Sequence, residues 1–97
     1  MNLIIQEQAR AEFRESAIFY DEVEAGLGFE FIDEINNGFD SIKQHPEAWP
    51  LIYEDVRAFL VKRFSFRIFY CFDADEIVVV GISHCARKPY YWIDRLI

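Results

Sequence analysis

The sequence predicts an α+β domain with element order β-α-α-β-β-β-α, in which a helical hairpin lies on one face of a small, mainly antiparallel sheet. Three observations carry that prediction. Residues 56–84 fall into three runs rich in β-branched and aromatic side chains, separated by polar turns, which is how strands read. Residues 8–44 hold two stretches in which apolar side chains recur every three or four positions, which is how amphipathic helices read. A short apolar run, Asn2, Leu3, Ile4 and Ile5, precedes them and is long enough for one strand of the same sheet.

The first helix is expected over residues 8–24. Ala9, Phe13, Ala17 and Tyr20 share its inner stripe, and Glu12, Glu15 and Glu22 occupy its outer face. Gly26, Leu27 and Gly28 follow; glycine accepts left-handed backbone angles, so the helix stops and the chain reverses. The second helix aligns Phe31, Ile35, Phe39 and Ile42, with Ile32 beside them. So short a connection favours antiparallel neighbours. His45 precedes Pro46, and a residue before proline is pushed out of helical geometry, so the second helix ends there. Residues 46–55 are expected as a loop, with Trp49 as a lid on the edge of the core.

The three later strands are expected at Val56–Val61, 65–72 and 76–84, the last two joined by a turn at Asp73, Ala74 and Asp75. Side chains alternate across a sheet, so Phe66, Ile68, Tyr70 and Phe72 face one way and Arg67, Phe69 and Cys71 the other. One face is core and the other carries arginine. Residues 90–97 form an aromatic tail, expected as one or two helical turns packed back on the sheet. The chain reads as a single domain, 1–97, without repeats.

Composition narrows the function. A hydrophobic content of 53% opposes disorder. There is no apolar run of about 18 residues to span a bilayer, and the start lacks a basic then apolar leader, so no membrane association and a cytoplasmic location are expected. In that compartment Cys71 and Cys85 stay reduced. The net charge of −7 hides a division: residues 1–55 carry three basic and thirteen acidic side chains, and residues 56–97 carry seven basic and four acidic. One acidic side and one basic working side follow.

On the basic side Arg57, Arg63, Arg67, Arg87 and Lys88 converge if the strands are adjacent, giving donors suited to phosphates or to a partner's carboxylates. Arg67 interrupts an apolar strand and Arg87 follows directly from a strand end. His84 is able to move a proton near neutral pH or to hold a loop backbone. Tyr90 and Tyr91 are candidates for stacking on a base or supplying a hydroxyl, although aromatic residues in a terminal helix more often serve packing. His45, Cys71, His84 and Cys85 lack paired zinc-ligand spacing, Gly26 and Gly28 do not follow a strand as a phosphate loop would, and no Ser or Cys has a nucleophile context. No metal or cofactor is expected.

The element order, the segment His45, Pro46, Glu47, Ala48, Trp49, Pro50, the run from Val56 and Arg57 through Phe66, Arg67, Ile68, Phe69 and Tyr70, and the ending Ile82, Ser83, His84, Cys85, Ala86, Arg87, Lys88, Pro89 with Trp92 together resemble the ParE branch of the RelE/ParE toxins of bacterial type II toxin–antitoxin systems, also known as plasmid stabilisation proteins. The resemblance covers nearly the whole chain and implies a RelE/ParE-like fold. It implies a toxin neutralised by a cognate antitoxin that covers the basic groove, as a hetero-oligomer or a toxin homodimer. ParE-like members poison DNA gyrase, and RelE-like members cut messenger RNA on the ribosome. On the first reading Arg57, Arg63, Arg67, Arg87 and Lys88 bind partners. On the second, a ribonuclease, Arg67, Arg87, His84 and Tyr91 are catalytic. The lysine-rich strand of RelE-type nucleases is missing here, with only Lys62 near its place. A third form retains antitoxin binding without toxicity.

Overall fold

The computed structural model describes residues 1–96. Ile97, assigned above to the tail, lies outside the described residues. The elements are β1 (Asn2–Ile5), α1 (Glu7–Val23), α2 (Leu27–Gln44), β2 (Leu51–Tyr53), β3 (Val56–Val61), β4 (Phe66–Phe72) and β5 (Glu76–His84). They form one five-stranded sheet in the order β1-β5-β4-β3-β2. All pairs are antiparallel except β1 with β5, which is parallel.

The α1–α2 hairpin is fixed by two glycines doing different work. Gly26 takes φ of 90°, the left-handed turn that lets the chain reverse. Gly28 sits inside α2, where an added Cβ would lie 2.6 Å from the Ala17 carbonyl oxygen, so its bare backbone allows the helices to touch. Phe31, Ile35 and Ile42 of α2 are fully buried against Ile68 and Tyr70 of β4 and Ile77, Val79 and Ile82 of β5. The other sheet face carries a smaller core of Val56, Phe69, Val80 and Trp92. Trp92 is completely buried there, its ring 5.2 Å from that of Phe69, so the tail packs on the sheet as the sequence predicts.

Three expectations need correction. Residues 51–53, expected within a loop, form the edge strand β2 beside β3. A three-residue strand opened by Pro50 is too short to display an alternating pattern. The tail forms turns and one 3-10 turn at Ile93–Arg95 in place of an α-helix. The third correction concerns Glu12, expected on a solvent face but largely buried, with its side chain 12% exposed. Among the described residues no helix is long and apolar enough to cross a membrane.

Candidate functional site

β1 ends at Ile5, opposite Val79, so the β1-facing edge of β5 is open beyond that point. On β5 Val80 is an extra residue between the pairs Phe69–Gly81 and Tyr70–Val79. Past this bulge Val80 C=O and Ile82 N–H point to the open edge, where both groups find side chains in place of a strand. The Glu12 carboxylate accepts the Ile82 N–H at 3.1 Å, and the Arg95 guanidinium donates to the Val80 carbonyl at 3.0 Å. Glu12 and Arg95 are themselves joined by two hydrogen bonds of 3.1 Å.

The same carboxylate collects two further groups. Arg87 donates to it at 3.0 Å and the Tyr91 hydroxyl at 3.3 Å. Arg87 lies over the Tyr91 ring, 3.5 Å from its centroid, a close cation–π contact. Burial pushes the Tyr91 phenol up to about 12, with the nearby Glu12 charge adding to the rise against the hydrogen bond to Ser83. Glu12 and Arg87 border a groove of about 400 Å³ between α1 and the end of β5, lined also by Phe19, Tyr20, Phe66 and His84. His84 is exposed and its Nδ1 accepts the Ala86 N–H at 2.9 Å, so it holds the turn that delivers Arg87.

The predicted basic residues do not converge. Arg57 donates to the carbonyls of Glu47 and Trp49, at 3.0 and 2.7 Å, and so straps the loop after α2. Arg63 pairs with Glu30 of α2. Arg67 faces away from the helices beside Leu60 and Ser83 and lines a different groove. Lys88 is exposed in the turn after β5. Of the predicted residues, Arg87, His84 and Tyr91 stand together at the open edge. Glu12 and Arg95 join them without having been anticipated. One signal for Glu12 was present: it lies three residues after the buried Ala9 and four before Ser16, on the border of the apolar stripe.

Comparison with known proteins fits this architecture. Residues 3–89 match the family model described as the ParE toxin of type II toxin-antitoxin systems, parDE. The chain belongs to the ParE toxin family. Among solved structures, a chain of the chromosomal ParDE system from P. aeruginosa superposes with a TM-score of 0.65 at 16% identity, over 87% of this chain and 95% of that one. The isolated E. coli RelE toxin superposes with the same TM-score at 17% identity, over 99% of this chain and 98% of that one. At such identities the two structures share the fold of two helices on a five-stranded sheet. No curated protein matches the chain. The ParE toxin family is one whose members are partnered by a cognate antitoxin. In this ParE-family chain Tyr91 and Arg95 lie beyond the matched span, so the cluster around Glu12 joins the family core to the tail.

Proposed function

We propose that this ParE-family chain acts by contact, as an inhibitor of DNA gyrase in the cytoplasm held inactive by a cognate antitoxin. The observation that carries this reading is the single carboxylate on which Arg87, Arg95 and Tyr91 converge. A ribonuclease needs cations free to stabilise phosphate charge and a side chain that exchanges a proton near neutral pH. Here Arg87 and Arg95 face Glu12, whose charge opposes a phosphodiester, and a phenol raised to about 12 stays protonated. The net charge of −7 further opposes docking on a polyanionic ribosome. A contact inhibitor requires none of that chemistry, and a half-exposed Arg87 over Tyr91 offers a rigid protein-binding surface.

Purified protein incubated with gyrase and supercoiled plasmid tests the proposal. Accumulation of cleaved DNA, abolished by Arg87→Ala in a variant that still melts cooperatively, is the expected result. No cleaved DNA, together with reproducible new RNA 5′ ends after induced expression, would replace it with the ribonuclease reading.

A further inference from the structure

A toxin that acts by contact with gyrase has two surfaces to meet, the enzyme's protein and the phosphate backbone of its DNA. Which of these Arg87 meets depends on its neighbours. The Ile82 N–H, the Tyr91 hydroxyl and one Arg95 nitrogen all donate to Oε1 of Glu12, at 3.1, 3.3 and 3.1 Å. Arg87 and the second Arg95 nitrogen donate to Oε2, at 3.0 and 3.1 Å. Two guanidiniums, a hydroxyl and a backbone N–H are the donors that hold a phosphate oxygen equally well. The place such an oxyanion would take is filled by the chain's own carboxylate.

Access to the cluster is one-sided. The Glu12 and Arg95 side chains are nearly buried, whereas that of Arg87 is 48% exposed. A ligand from solvent therefore reaches Arg87 first, and a phosphate arriving there stands beside the Glu12 charge. Glu15 lines the same groove and adds a second carboxylate. The Tyr91 ring covers one face of the Arg87 cation, 3.5 Å away. What stays open is a guanidinium whose charge is already compensated, which suits protein carbonyls and apolar side chains better than a phosphodiester.

We infer that Glu12 sets the target chemistry of this surface: it is a built-in anion that closes an otherwise complete oxyanion site, so that Arg87 meets protein and not the phosphate backbone of nucleic acid. This rests on the contact reading above and adds which component of the target is touched. A phosphate-binding site is thus latent in the fold, one carboxylate away from being open. Glu12→Gln is the substitution that opens it. The amide oxygen keeps an acceptor for the three donors that meet Oε1, while the amide nitrogen replaces Oε2 and leaves Arg87 without its acceptor.

A short labelled single-stranded DNA, titrated with the full chain at low salt and read by fluorescence anisotropy, tests the inference. The wild type should show no saturable binding. Glu12→Gln should bind at least about tenfold more tightly than the limit the wild type sets, and adding Arg87→Ala should remove the gain. Glu15→Gln, in the same groove and equal in net charge, should show no gain. Circular-dichroism melts verify folding, and Glu12→Met serves as a second neutral variant. Saturable binding by the wild type that Arg87→Ala weakens would overturn the inference, and that titration needs no Glu12 variant to fold. An equal gain in Glu15→Gln, or no gain in a folded neutral variant, would overturn it as well. A failed plasmid assay beside a gain in Glu12→Gln would remove the gyrase reading and keep the closed oxyanion site.

Discussion

The Glu12 carboxylate and the Arg95 guanidinium grip the same stretch of β5 from opposite layers of the molecule. Glu12 reaches from α1 to the Ile82 N–H, Arg95 reaches from the tail to the Val80 carbonyl, and the two side chains close on each other. Together they give an interrupted strand edge the donor and acceptor that a neighbouring strand would have supplied. Both are mostly withdrawn from water, with side chains 12% and 15% exposed.

Removing the carboxylate therefore leaves the Ile82 N–H without a partner and the Arg95 guanidinium with the Val80 carbonyl but no counter-charge. Glu12→Ala should cost about 3 kcal/mol in urea unfolding, within the range for breaking a buried pair. Glu15→Ala, one turn along on the exposed face, should stay within about 0.5 kcal/mol. A double-mutant cycle should give a larger coupling for Glu12 with Arg95 than with the half-exposed Arg87.

Gly81 lies under the tail. An added Cβ would sit 2.8 Å from the Tyr91 hydroxyl oxygen, closer than packed atoms tolerate, and a tight 3.1 Å from Trp92 Cδ1. Gly81→Ala should therefore lift the tail and lower stability by about 1–3 kcal/mol. Raised solvent quenching of Trp92 fluorescence, absent from the wild type, would locate the damage.

Alkaline pH should weaken the fold in a defined window. Burial raises the phenols of both Tyr70 and Tyr91 to about 12, above the unfolded value near 10. The native state then keeps protons that the unfolded chain has released. Their contribution is complete below about pH 10 and is lost as pH rises through about 12. Urea midpoints measured across that window should fall, and Tyr91→Phe should flatten the decline.

The loop after α2 is held by two side chains from the sheet. Arg57 binds the Glu47 and Trp49 carbonyls, and the Tyr70 hydroxyl donates to the Pro46 carbonyl at 2.6 Å. Arg57→Ala should destabilise by about 1–3 kcal/mol and speed proteolysis within residues 45–50. Ile35→Ala, by contrast, empties a fully buried site and should cost about 2–5 kcal/mol with cleavage spread over the chain.

The helices and the longer strands were legible because their periodicity extends over many residues. The alternation of Phe66, Ile68, Tyr70 and Phe72 against Arg67, Phe69 and Cys71 separates the two faces as the structure has them. β2 was not legible, for three residues after a proline carry no period. Three of the five residues of the candidate site, Arg87, His84 and Tyr91, were visible, because their placement at or after a strand end is a local property. Glu12 and Arg95 stayed hidden because their roles arise from an encounter across 83 positions of chain. The failure of the basic residues to converge has the same origin: strand adjacency does not determine which carbonyl or carboxylate each side chain meets.

The parallel pairing of β1 with β5 also sets an order in time. Asn2 finds its partner only at Glu76, and Glu12 meets Arg95 near the far end of the described chain. During synthesis the first strand must wait, unpaired, until β5 has left the ribosome, while the α1–α2 hairpin is free to form at once. The surface around Arg87 is thus assembled last. A chain released early, before residue 76, carries the hairpin with Glu12 but lacks β5, Arg87, Tyr91 and Arg95, so a prematurely terminated product of this gene should be unable to complete the surface on which the proposed inhibition depends.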